Sequence, residues 1–139
     1  MVRRTDSPPR PAAAAVELVL LLPVLMLLFS AGVDFARVFR ATQIVQSAAS
    51  RASTYATGTA WVPTSLTTTV DAATAAAVAE GATLDPPLQA SQVTVATTGT
   101  MVTVTVVYDF PLLTGFLVPE RTVRLQRTMT ARVGLKPGD

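Results

Sequence analysis

The chain has 139 residues, half of them apolar and only 14% charged, with a net charge of +2. It contains neither cysteine nor histidine, which excludes a disulfide framework and thiolate chemistry and removes the commonest general base and metal ligand. The positive charge is small and dispersed, which argues against nucleic-acid binding, and the length holds one small domain plus extensions.

Residues 1–11 are polar and proline-rich, carry Arg3, Arg4 and Arg10, and read as a short leader. An apolar run over residues 12–33 follows, long enough to cross a bilayer as a helix, which needs about 20 residues. Pro23 lies inside it, and a membrane helix tolerates such a proline with a kink. Glu17 also lies inside it, and a carboxylate there costs a few kcal/mol unless it meets a partner or the interface. Two readings are open for Glu17. It lies close enough to the polar leader to snorkel, or it serves a partner in the membrane or a processing enzyme.

The helical pattern continues past the run. Phe35, Val38, Thr42, Val45, Ala49 and Ala52 recur at spacings of three and four, and no Gly or Pro interrupts residues 33–57. One helix over residues 13–55 is predicted, roughly 65 Å long at 1.5 Å per residue. Its protruding half presents a narrow apolar stripe, to the chain's own sheet or to a partner. Thr57-Gly58-Thr59 and Trp61-Val62-Pro63 mark a break. Residues 66–80 are alanine-rich and predict a second helix, with Gly81 just past its end. Residues 83–90, which hold Pro86 and Pro87, predict a loop.

The period then changes to two. Residues 92–96 and 101–108 predict strands joined by a turn over residues 97–100 that contains Gly99. Val102, Val104, Val106 and Tyr108 share one face, and Thr103 and Thr105 the other. Residues 111–119 form an apolar loop. Residues 122–133 alternate again, with Val123, Leu125, Met129, Ala131 and Val133 facing inward and Arg127 breaking the pattern. Arg127 suits a sheet margin, paired with Asp109 or Glu120. The three strands make an antiparallel sheet whose apolar side needs a cover, from the second helix, the protruding half of the first, or both.

The fold class is α+β: a long N-terminal transmembrane helix, then a small extracytoplasmic domain with a second helix and a three-stranded antiparallel sheet. The organisation expected is a basic leader over residues 1–12, a transmembrane and protruding helix over 13–56, and the helix-plus-sheet domain over 57–139. No catalytic constellation is present. Serines and threonines have no histidine to activate them, the acids are scattered, and the glycines form no phosphate-cradling loop. No enzyme, cofactor, metal, nucleic acid or small-molecule substrate is expected.

Residues 12–51 resemble the TadE-like family, pilin-like accessory proteins of the tight-adherence (Flp) pilus systems of bacteria. The resemblance rests on Ala14-Ala15-Val16-Glu17, on Pro23 in the leucine-rich run, on Asp34-Phe35-Ala36-Arg37, and on Gln43, Gln46, Ala48-Ala49 and Arg51. It implies a pilin-like layout, cutting of the leader by a prepilin peptidase between Ala12 and Ala13, and Glu17 as the acid at the fifth mature position. The family more often has Gly where this chain has Ala12 and Ala36, and Phe where it has Leu18. Pilin-like subunits pack their helices side by side, and the acid can pair with a neighbour's new N-terminal amine, offsetting the cost of burying it. On this resemblance Glu17, Pro23, Asp34, Phe35 and Arg37 are the expected assembly residues. The expected partners are the membrane, other pilin-like subunits, the assembly machinery and the peptidase.

Charge sets orientation poorly: Arg3, Arg4 and Arg10 precede the run, and Arg37, Arg40 and Arg51 follow it. The resemblance places the N-terminus in the bacterial cytoplasm and the sheet domain outside, with the chain in the cytoplasmic membrane or in a surface pilus. Two rival readings differ in the mature N-terminus. A secreted binding domain would be cut after Phe29-Ser30-Ala31, near Gly32. A single-pass scaffold of another complex would keep its leader.

Overall fold

The structure, a computed structural model, describes residues 11–59, 66–114 and 121–132. The leader arginines, Trp61-Val62-Pro63, Glu120 and Val133 lie outside the described residues.

The first helix, α1, runs over Pro11–Thr54 and passes through Pro23 without a break. It ends in a wider π turn at Tyr55–Thr59. Helix α2 spans Leu66–Glu80 and leads into a 3-10 turn at Gly81–Thr83. Strands β1 (Val93–Thr98), β2 (Met101–Pro111) and β3 (Thr122–Arg132) form one antiparallel sheet in the order β1-β2-β3. The α+β layout read from the sequence is the observed one.

The strands run further than their alternation indicated at two ends. β1 continues to Thr98 and β2 to Pro111, so the first hairpin turn shrinks to Gly99 and Thr100. Gly99 has φ of +60°, the left-handed conformation that two-residue hairpins demand of their first turn position. Val102, Val104, Val106, Tyr108 and Phe110 all point into the core. On the outer face the hydroxyls of Thr103 and Thr130 lie 3.3 Å apart, and those of Thr105 and Thr128 3.2 Å apart, as cross-strand pairs.

Both helices cover the sheet. On α1 the buried apolar residues are Ala41, Val45, Ala48, Ala49 and Ala52, continued by Ala56 in the π turn, and α2 answers with Ala73 and Ala77. Alanine on both sides lets the two backbones approach closely. The seam is pinned where Ser47 Oγ donates to Glu80 Oε1 at 2.8 Å and Arg51 Nε meets Glu80 Oε2 at 2.8 Å. Val38 and Val45 pack inward as the stripe predicted, but Phe35 does not: it is 74% exposed. β3 is an edge strand, and Val123, Leu125, Met129 and Ala131 are only half-buried. Arg127 lies opposite Val106 on that edge, exposed, and donates to the Gln126 carbonyl at 3.0 Å; the expected ion pair with Asp109 does not form.

Candidate functional site

The expected site residues fall into two groups along α1. Glu17 and Pro23 lie in the apolar half, where the large side chains from Val16 to Phe29 are all exposed. Glu17 is exposed and makes no hydrogen bond or ion pair among the described residues. Ala12 and Ala13 lie on the same helix, in its first turn. Ser30 turns its hydroxyl back onto the Met26 carbonyl at 2.8 Å, which satisfies its proton within the helix. This stretch has the length and apolar composition to cross a membrane and buries nothing against the rest of the chain.

About 25 Å beyond Glu17 along the helix axis, at 1.5 Å per residue, stand Asp34, Phe35 and Arg37. Asp34 shares the helix face of Ala41, Val45 and Ala52 and is only 4% exposed. Its carboxylate takes three short hydrogen bonds from the loop after β2. The Leu113 amide donates to Oδ1 at 3.0 Å, the Thr114 amide to Oδ2 at 2.7 Å, and the Thr114 hydroxyl to Oδ2 at 2.6 Å. Arg37 Nη1 lies 3.4 Å from Oδ1. Burial alone would push the Asp34 pKa up. The Thr114 hydroxyl, the two backbone amides and the Arg37 charge outweigh it, and the pKa lies below the ordinary 3.8.

Arg37 also stacks its guanidinium on the Phe110 ring, 5.0 Å from the centroid. Tyr108 lies beneath, its ring 6.4 Å from that of Phe110, and its hydroxyl donates to the Pro86 carbonyl at 2.7 Å. Burial, with the Asp85 charge, raises the Tyr108 pKa, and Arg37 opposes the rise. A hollow of about 100 Å³ opens beside this cluster, lined by Arg37, Arg40, Ile44 and Phe110 among others. It is smaller than the sites that hold small molecules, which run from about 300 Å³ upward.

The structure therefore brings Asp34 and Arg37 together as a clasp between α1 and the sheet domain. Phe35 is turned about 100° away from Asp34 on the helix. Glu17 and Pro23 stand apart from all three. Thr114, Leu113 and Phe110 complete the clasp, and no sequence signal joins them to Asp34 across such a separation. The sequence signal that could have found Asp34 is its step of four residues to Val38, and then of seven to Val45 and seven to Ala52, which sets it on their face of α1.

No curated protein and no solved structure gives a significant match to the chain. Residues 12–53, under a third of the chain, match the model of the family described as TadE-like protein, so the apolar half of α1 and the clasp residues on it stand in a TadE-like segment.

Proposed function

We propose that the chain is a pilin-like accessory subunit of a tight-adherence pilus system, held in the cytoplasmic membrane by the first half of α1. The observation that carries this is the coincidence of three features on one helix. The TadE-like match covers residues 12–53. The same helix presents an apolar, unpacked half of membrane-spanning length and then becomes the spine of the folded domain. Glu17, with no partner among the described residues, would be the fifth mature residue, the position of the family's acid, if the leader is cut between Ala12 and Ala13. A carboxylate at that depth is available to a neighbour's N-terminal amine or to the peptidase, and either role repays its desolvation.

The test is Glu17→Gln, which keeps size and polarity and removes charge. Membrane insertion stays intact or improves, while surface pili, recovered by shearing and blotting, are lost. Normal pili would make Glu17 a residue that merely snorkels at the membrane edge. Intact-mass measurement of the native protein reads the mature N-terminus directly: a start at Ala13 supports pilin-like processing, and a start near Gly32 supports the secreted reading.

A further inference from the structure

Where α1 leaves its apolar half, three large apolar side chains remain uncovered. Phe35 is 74% exposed, Phe39 59% and Leu113 64%. Phe35 and Phe39, four residues apart, share one side of the helix, and only Leu113 lies on another. Phe35 and Phe39 lie about 100° and 140° around the helix from Asp34, whereas Leu113 belongs to the loop that Asp34 itself holds. A partner helix laid on the Phe35–Phe39 side would not reach Leu113 as well, since the three span about 140° of α1, whereas a fluid layer reaches them all.

The height agrees. If the hydrocarbon core ends at Val33, Phe35 lies about 3 Å and Phe39 about 9 Å beyond it. The interfacial layer on each side is about 5–7 Å thick. Helical side chains lean toward the N-terminus, which brings the Phe39 ring back into that layer. Arg40, exposed and next in the chain, lies about 10 Å beyond Val33, with lipid phosphates within reach of its long side chain.

We propose that Phe35, Phe39 and Leu113 form an apolar collar immersed in the outer interfacial layer of the bilayer, with the Asp34 clasp holding Leu113 at that depth. The domain is thereby seated on the lipid surface and does not swing free on its helix. This rests on the membrane-anchored reading above and adds a lipid-binding surface to it.

The chain has no cysteine, so single cysteines can be placed without background. The full chain carrying Val24→Cys, Phe35→Cys, Leu113→Cys or Thr105→Cys is labelled with an environment-sensitive fluorophore. It is then reconstituted in vesicles of phosphatidylcholine and phosphatidylglycerol containing nitroxide lipids. The collar requires several-fold stronger quenching at positions 35 and 113 by nitroxides near the headgroup than at position 105, with blue-shifted emission. Position 24 reports the anchor separately, through quenchers deep in the acyl chains. Deep quenching at 24 with water-exposed labels at 35 and 113 overturns the collar and leaves the anchor standing. Absence of quenching at 24 overturns both. Water exclusion at 35 without lipid quenching, together with crosslinking between copies through Phe39→Cys, assigns this face to a neighbouring subunit and likewise overturns the collar.

Discussion

Asp34 is the residue on which the join between helix and domain depends. Replacing it by Ala leaves the buried Thr114 amide and hydroxyl, and the partly buried Leu113 amide, without their acceptor. Such a loss of charge-assisted hydrogen bonds costs about 3 kcal/mol, and thermal melting of the detergent-solubilised chain should show it. The depressed pKa gives the pH dependence its sign. The unfolded carboxyl binds protons first, so the contribution is fully present above the ordinary value near 3.8 and is lost as pH falls through the lower folded value. Wild-type stability should fall below about pH 4 more steeply than that of Asp34→Ala. Gly81 is the second such residue. Its carbonyl accepts from Leu84 at 3.1 Å and Leu88 at 3.2 Å, and an added Cβ would overlap the Leu88 side chain. Gly81→Ala should cost about 1–3 kcal/mol by overpacking. Unchanged melting would mean that Leu88 yields easily.

At the scale of elements, the sequence was legible wherever one period acted alone. β2 alternates cleanly, and all of its predicted inward residues are buried. Val104→Asp should therefore unfold the domain, at a cost of several kcal/mol for an unpaired buried charge, whereas Thr103→Asp on the outer face should shift melting only slightly. Similar effects from the two would mean the register is wrong. α1 was harder to read, because spacing of three and four fixes a face only to within a side chain. Phe35 lies about 80° from Val45 around the helix, at the stripe's margin, and the buried face belongs instead to small residues that hydropathy underrates. Ala48 and Ala49 are fully buried because α2 packs close. The strand ends were illegible for another reason: Thr97 and Thr98 favour strands but stand beside Gly99 in a run that reads equally as a turn, Asp109 has weak strand preference, and all three are held by pairing with β2 or β3.

For the whole molecule, the division of α1 into an uncovered and a covered half is the organising fact, and the sequence showed it as an apolar run followed by an amphipathic stretch. The clasp at the boundary stayed hidden because its loop partners are far away in sequence. The boundary predicts where the chain sits. The uncovered half offers lipid a continuous apolar surface whose length matches a bilayer core, so alkaline carbonate should leave the protein in the membrane fraction. Release would favour a cleaved, secreted form. Orientation follows from different considerations, since three arginines flank the span on each side. Arg37 and Arg51, on the domain side, are committed to Asp34 and Glu80 once the domain folds. Such pairing does not alter the arginine count that acts during insertion, so an outside location for the domain rests on the pilin-like reading proposed above. Alkaline phosphatase, which is active only outside the cytoplasm, should be active when fused after Asp139. A stable but inactive fusion would place the sheet domain inside and remove it from any surface pilus.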